Sequence, residues 1–285
     1  MDNLLDGVID MHIHSAPDIR QRKMNDLELM EAAIDNGVRA IVIKSHNVPT
    51  MDRATLVNMI KEEKYGKDVD FTMFGGISLN EPVGGINPWA VEKALKLGAK
   101  VVWLPTNTAQ NHYKKSGKEG GVCCVKDGKV TDELKSVMNI IKEHDAVLAT
   151  GHISPEECFI VTEAARDLGV EKVVITHPEF HIVGMSLEDQ VRIVKDYDVM
   201  LERVYAQPIG GGVYKKNLAD NVEAVKAVGS EHIIVSTDGG QMQNPRWNEA
   251  LREYVNYLYE AGITKEQIEQ MTKKNPAKML GLEVK

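Results

Sequence analysis

The stretch Val8-Ile-Asp-Met-His-Ile-His14, followed at once by Ser15-Ala16-Pro17, decides how the rest of the chain is read. Alternation along a strand puts Ile9, Met11 and Ile13 on one face and Asp10, His12 and His14 on the other. Two imidazoles therefore point the same way, one pleat apart, at the strand's end. In a closed parallel barrel that end is the mouth, where such barrels hold their active sites.

Outward from this strand the chain repeats one cycle. Asp26 to Asn36 carries Leu27, Met30 and Ile34 at helical spacing, and Gly37 stands where a helix C-cap belongs. Arg39 to His46 is β-branched and nearly continuous in apolar character, as strands covered on both faces are. Helix 52–64, strand Asp70–Leu79, helix 88–97 closed by Gly98, and strand Lys100–Leu104 follow. A longer stretch, Asn107 to Val130, precedes the helix that starts near Thr131. Within it, Lys126-Asp127-Gly128 between extended segments predicts a hairpin, inserted after strand four over the mouth. The cycle resumes with strand Ala146–Thr150, helix 155–168 capped by Gly169, strand Lys172–Thr176, helix 186–196 and strand Val199–Tyr205. Helix 217–228 leads to the eighth strand, Ile233–Ser236, and helix 245–260 with segments Lys265–Met271 and Pro276–Leu280 closes the chain.

The period is about thirty residues, the size of one βα unit. Eight strands alternating with helices predict an α/β chain in which residues 1–285 form a single (β/α)8 TIM barrel domain. A doubly wound sheet would show a Gly-rich dinucleotide turn after its first strand, and none is present.

Composition bounds the function. With 285 residues, 43% of them apolar, the chain can bury a sizeable core, and its net charge of −8 argues against nucleic acid or an anionic membrane as partner. The segment Met1–Gly7 lacks the basic and apolar regions of a secretory signal, and no apolar run approaches the roughly 18 residues of a membrane helix. Three cysteines, Cys123, Cys124 and Cys158, form no CxxC and make a poor disulfide framework. The reading is of a reduced, cytoplasmic protein whose partner is a small-molecule substrate, with homo-oligomerisation left open.

Parallel strands bring their C-terminal ends together, so polar residues there converge whatever their separation in sequence. Strand one ends in His12 and His14, strand two in Lys44 and His46, strand five in Gly151-His152, strand six in His177 and strand eight in Asp238. Five of the nine histidines thus fall at or beside strand ends, whereas His144 and His232 do not. Imidazole nitrogen and carboxylate oxygen are the ligands zinc uses, and catalytic sites keep one position open. The set His12, His14, His152 and Asp238, with His177 nearby, suits one divalent metal, zinc by preference.

With these residues the chain resembles the amidohydrolase superfamily of metal-dependent hydrolase barrels, as an uncharacterised branch. The resemblance rests on Val8–His14, Thr176-His177-Pro178-Glu179, Ser236-Thr237-Asp238 and the closing Asn275-Pro-Ala-Lys-Met-Leu-Gly-Leu282. It implies that a metal-activated water attacks an amide, lactone or ester carbonyl of a small acidic substrate. Asp238 would carry the proton to the leaving group, and His177, either a ligand or a substrate polariser, would stabilise the oxyanion with Lys44 or His46. One departure stands out: strand four ends in Trp103-Leu-Pro-Thr-Asn107, without the lysine or glutamate with which dinuclear members bridge two metals. Lys44 could supply a bridge after carbamylation or serve as a substrate-pairing ammonium, so a single ion is the base reading and a second stays open.

Loops supply substrate contacts in barrels. Gly210 and Gly211 after strand seven could offer backbone N–H groups to an anion, and Arg20, Arg22 and Lys23 after strand one could pair with an acid. Asn80, His112 and Glu179 are further candidates for substrate binding, with Glu81, Asn111, Phe180, His181 and Glu202 at the same ends. Three rivals remain: a mononuclear decarboxylase of an unsaturated or aromatic acid, a protein that binds metal or a small acid without turnover, and, as the weakest, a phosphoesterase of the kindred barrels, which usually place a glutamate after strand four.

Overall fold

The strongly apolar, β-branched runs become short parallel strands in a computed structural model, which describes residues 4–284. Part of the Met1–Gly7 reading therefore lies outside the described residues. In chain order the strands are β1 (Ile9–His14), β2 (Ala40–Lys44), β3 (Thr72–Phe74), β4 (Gly76–Ser78), β5 (Val101–Trp103), β6 (Val125–Lys126) and β7 (Lys129–Val130). They continue as β8 (Val147–Ala149), β9 (Val173–Ile175), β10 (Met200–Val204), β11 (Ala206–Gly210), β12 (Val213–Lys216) and β13 (Ile233–Ser236). The third expected strand, Asp70–Leu79, is broken between β3 and β4 at Gly75. A Cβ there would lie 2.4 Å from the Met51 backbone nitrogen, so only glycine admits this approach.

The chain divides into two compact units. The first comprises Met1–Ser45, Thr50–Gly75 and Arg203–Lys285, and the second His46–Pro49 and Gly76–Glu202. In the first unit β1, β2 and β3 lie in that order and run parallel, with Ile9 opposite Ala40 and His14 opposite Lys44. The segment after β13 lies against β1: Asp238 N–H donates to the His12 carbonyl at 2.9 Å and His14 N–H to the Gly239 carbonyl at 3.0 Å. Ile9, Ile13, Ile41, Ile43 and Val235 are fully buried and supply much of the hydrophobic stabilisation here. Helix Asp26–Asp35 opens on a capping box between Asn25 and Glu28, and helix Trp247–Glu260 buries Trp247, Leu251, Tyr254 and Leu258. The hairpin of β11 and β12, antiparallel with Pro208 opposite Tyr214, also belongs to this unit.

In the second unit the strands lie in the order β4, β5, β8, β9, β10, all parallel. Its helices Pro88–Lys96, Asp132–Glu143, Pro155–Leu168 and Leu187–Tyr197 start on Asn87, Thr131, Ser154 and Ser186, each side chain accepting a first-turn N–H. Such caps contribute about 1 kcal/mol apiece. The expected hairpin forms between β6 and β7, where Asp127 and Gly128 take φ of 51° and 72°, the left-handed pair that a two-residue turn requires. A helix that periodicity did not predict, Gln110–Lys115, lies between β5 and this hairpin. No helix among the described residues is long and apolar enough to cross a membrane.

Candidate functional site

In the first unit every residue of β1 is buried, so the polar face of the HxH strand has to be satisfied internally. Asp10 does this at one end. Its carboxylate accepts from Thr237 Oγ1 at 2.6 Å, Trp247 Nε1 at 2.8 Å, His12 N at 3.0 Å and Thr237 N at 3.2 Å. Burial raises the Asp10 pKa from its ordinary value, while these four donors work to hold the carboxylate ionised. The network pins β1 to the segment after β13 and to helix Trp247–Glu260.

One pleat further on, His12 Nε2 and His14 Nε2 lie 3.1 Å and 3.2 Å from the same oxygen, Asp238 Oδ1. Asp238 adopts φ of 45°, a left-handed conformation that costs a non-glycine residue and turns the carboxylate back over β1. Gly240, two residues on, passes so close that a Cβ would fall 1.7 Å from the His14 carbonyl oxygen. The Gly239-Gly240 pair thus serves a close approach of backbone to backbone. Burial, aided by the nearby Arg22 charge, pushes the His14 imidazole down to about 3, which leaves the ring neutral. Burial acts to raise Asp238 too, but the His12 and His14 imidazoles that hydrogen-bond to it outweigh burial and hold the carboxyl well below its usual range. Neutral imidazole beside carboxylate is the protonation state a metal needs.

Two cations lie against this acceptor group. Lys44, buried at the end of β2, places Nζ 3.0 Å from His12 Nε2. Arg22 Nη2 reaches His14 Nδ1 at 3.2 Å and also lies 2.6 Å from Asp18 Oδ2, to which Nε donates at 2.7 Å. Burial opposes ionisation of Asp18, yet the Arg22 guanidinium holds its carboxyl below the usual value. Arg20 stands exposed on the same turn. The turn itself is fixed by Arg53, which grips Asp26 at 2.7–2.8 Å and donates to Ser15 Oγ at 2.9 Å. Among the described residues, the group of three or more ligand-type side chains whose donor atoms fall within 4.8 Å of one another is His12, His14 and Asp238. Its donor set fits a divalent cation, and the Lys44 ammonium drawn against His12 shows the pull of the same acceptors on positive charge.

The second unit gathers His46, His112, His152 and His177 into a cluster of rings with Phe180. His152 Nδ1 lies 2.7 Å from His112 Nδ1, the two rings nearly parallel, and its centroid is 5.0 Å from His177, 5.2 Å from Phe180 and 6.1 Å from His46. His177 takes φ of 28° and Gly151 takes 63°, where a Cβ on Gly151 would collide with the Leu104 carbonyl at 2.4 Å. Asn111 donates to the carbonyls of His152 and Ile182, tying the short helix Gln110–Lys115 to the cluster. Asn80 is fully buried and its amide is committed within the protein: it donates to the His46 carbonyl and Thr106 Oγ1 and accepts from Thr106 N, Thr108 N and Thr108 Oγ1. Thr106 Oγ1 in turn lies 2.8 Å from His46 Nδ1. Glu179 follows His177 and is half-buried. Gly210 and Gly211 sit at the tip of the β11–β12 hairpin with open space around them.

A family model described as "Family of unknown function (DUF6282)" matches residues 7–202. The chain belongs to this family. The match includes β1 with its two histidines, His46, His112, His152 and His177, and stops before Asp238. A search of curated proteins finds none that matches. Among solved structures, an amidohydrolase from Pseudomonas aeruginosa is similar at 15% identity and a TM-score of 0.68, over 98% of this chain and 96% of that one. A 2,6-dihydroxybenzoate decarboxylase from Rhizobium is similar at 11% identity and a TM-score of 0.56, over 97% and 99%. An N-acetyl-D-glucosamine-6-phosphate deacetylase from Mycobacterium smegmatis is similar at 16% and 0.57, over 98% and 77%. At these identities the likeness establishes the fold, which is that of the (β/α)8 amidohydrolases.

Three residues of the described geometry were not singled out by sequence pattern, namely Trp247 as an anchor of Asp10, Asp18 as the partner of Arg22, and Tyr214 on β12, while Thr237 stood in the Ser236-Thr237-Asp238 motif without a role. The Asp18-x-x-x-Arg22 spacing was a usable signal for an ion pair. Nothing local marks Trp247 or Tyr214.

Proposed function

We propose that this protein is a metal-dependent hydrolase of the amidohydrolase type, acting on an amide, lactone or ester bond of a small acidic substrate. The observation that carries the reading is the meeting of His12 Nε2, His14 Nε2 and Asp238 Oδ1 within 4.8 Å, two of them supplied by one buried strand. These residues would hold one divalent metal, zinc by the chemistry of the donors. Such an ion supplies Lewis acidity and lowers the pKa of water toward neutrality.

The protein's own part follows from what surrounds the group. Asp238 is the member with access, its side chain 19% exposed against 0% for His12 and 2% for His14, so its carboxylate is placed to accept a proton from water and pass it to the leaving group. Lys44 offers an ammonium to a developing oxyanion. In the second unit, His46 and His177 are assigned to substrate polarisation, with His152 and His112 as a coupled imidazole pair; Asn80 acts by fixing His46 and Thr106. The three cysteines are free, which supports a reduced, cytoplasmic setting.

The test joins metal analysis to isotope tracing. One equivalent of zinc in the purified protein, lost in His12→Ala and Asp238→Ala, together with oxygen from labelled water entering the product of a screened acid amide, ester or lactone, is the expected result. Carbon dioxide release without label in the product would assign the decarboxylase instead. A protein that binds no metal ends the mechanism altogether.

A further inference from the structure

We propose that Thr106, directed by Asn80, locks His46 into the neutral form that carries its hydrogen on Nε2, so that His46 donates a hydrogen bond to an acceptor oxygen of the substrate and takes no proton itself. This deepens the hydrolase reading, on which it rests for what His46 meets. It adds Thr106 as a positioning residue and separates His46 from the proton-accepting groups.

The assignment follows from the donors and acceptors of one buried chain of hydrogen bonds in the second unit. Asn80 sets its direction. Its Oδ1 takes the backbone N–H of Thr106 at 2.8 Å, the backbone N–H of Thr108 at 3.3 Å and the Thr108 hydroxyl at 3.0 Å. Backbone N–H groups only donate, so the amide has one permitted orientation, with its oxygen toward them. Asn80 Nδ2 then donates to the His46 carbonyl at 2.9 Å and to Thr106 Oγ1 at 2.6 Å. Thr106 Oγ1 is therefore an acceptor toward Asn80, and its own hydrogen must go elsewhere. Thr106 is fully buried, which keeps solvent from it. Among the described residues, the acceptor within reach of that hydrogen is His46 Nδ1, 2.8 Å away. The reverse arrangement, with Nδ1–H donating to Thr106, would strand the hydroxyl hydrogen in a dry interior as an unmade buried hydrogen bond.

A ring nitrogen that accepts is unprotonated, and in a neutral imidazole the hydrogen then sits on the other nitrogen. His46 thus carries Nε2–H, and its one lone pair is already engaged by Thr106. Asn80 on the His46 carbonyl and Thr106 on its ring hold the residue from both ends. Asn80 and Thr106 are fully buried whereas His46 is half-buried, so the chain of donors runs from the interior to a ring with access. A fixed N–H selects an acceptor, the carbonyl or carboxylate oxygen of a small acid derivative, and needs no reorganisation as charge builds there. Thr106 belongs to Trp103-Leu-Pro-Thr-Asn107, the strand end without a metal-bridging lysine or glutamate. That end has this other task.

The full-length protein, with isotope-labelled histidines, would be read by nitrogen NMR at neutral pH, the His46 signals being those lost in His46→Gln. We expect a single tautomer, Nε2–H, in the wild type. Thr106→Val removes the hydroxyl and should let both tautomers appear, while Thr106→Ser should restore one. A purely structural hydroxyl would leave the tautomer alone. A thermal melt checks that the variants fold, and the wild-type spectrum tests the assignment even if Thr106→Val does not. Nδ1–H or a mixture in the wild type, or a tautomer that folded Thr106→Val leaves unmoved, overturns the proposal. On a substrate found by the hydrolysis screen, Thr106→Val should lower kcat/KM about fivefold, the loss of one neutral hydrogen bond. His46→Gln keeps a donor and should retain about tenfold more turnover than His46→Leu. Equal loss in those two variants overturns the donor role. The spectra need neither metal nor substrate, so a single Nε2–H tautomer in a protein that takes up no zinc leaves the lock standing and ends the hydrolase reading.

Discussion

The two units solve the same problem, holding histidines in place inside a fold, by opposite means. In the first, His12 and His14 share a strand with Asp10, and an ionised framework orients them: Asp10 with four donors, Asp238 between two imidazoles, and Arg22 and Lys44 against the ring nitrogens. In the second, His46, His112, His152 and His177 come from four separate segments, and neutral groups hold them: Asn80, Thr106, Asn111 and the edge of Phe180. The charged centre makes an acceptor trap for a cation. The neutral cluster makes a set of donors and acceptors with no comparable pull on charge. Chemistry that needs a fixed ion and chemistry that needs movable protons thus have separately built supports.

The contrast breaks most visibly at the metal. His14→Ala should lower zinc affinity by more than about a hundredfold, since removing even an outer partner of a metal site costs 10- to 100-fold. His112→Ala should leave zinc stoichiometry unchanged while altering the ring resonances of His152; loss of zinc on changing His112 would erase the distinction. Calorimetry and NMR on the two variants decide it.

Stability probes the two frameworks next. Asp10→Asn puts an amide where four donors converge, and should cost about 3 kcal/mol, or roughly 6–10 °C in melting temperature for a chain this long. Asn80→Ala abandons five hydrogen bonds of a fully buried side chain and should cost a similar amount. If Asn80→Ala were nearly neutral in a denaturant melt, the neutral cluster would be plastic and the comparison would need restating.

The smallest effect is expected at the surface. Glu253 accepts from Tyr205 and Lys216, and although burial acts to raise its pKa, those two partners lower it. A folded-state pKa below the unfolded one gives stability that is present above the unfolded value and is lost as pH falls through the folded one. Glu253→Gln should therefore flatten the acid limb of a stability–pH curve slightly, by less than about 1 kcal/mol, because the side chain is 40% exposed and solvent screens the pair. A loss at pH 7 as large as that of Asp10→Asn would show that the hairpin is held far more rigidly than its exposure implies.

Much of the architecture was legible because the fold depends on it locally. Apolar runs with glycine at helix ends located seven of the eight expected strands to within one or two residues, and the HxH spacing on one strand placed two imidazoles on one face. What escaped was either too short or too distant. Helix Gln110–Lys115 has fewer than two turns, so no periodicity could reveal it, yet it delivers Asn111 and His112 to His152. The sequence reading gives an anion-binding glycine loop after strand seven and no β11–β12 hairpin, because three successive glycines hide the register that Pro208 and Tyr214 set. Trp247 carries no signal at all for Asp10, since only tertiary packing brings its indole N–H there. Strand three shows a different limit: its pattern is continuous, but the backbone of Met51 leaves no room at Gly75 and the ladder divides.

The pairing of His12 and His14 with Asp238 has one more consequence. The first two stand on the opening strand and the third just past the last barrel strand, so an ion shared among them is a cross-link that closes a loop containing most of the chain. Closure of long loops restricts the unfolded ensemble most. On the proposed reading, the metal is then also a clasp, and the protein that has lost it should open first where its beginning meets its end.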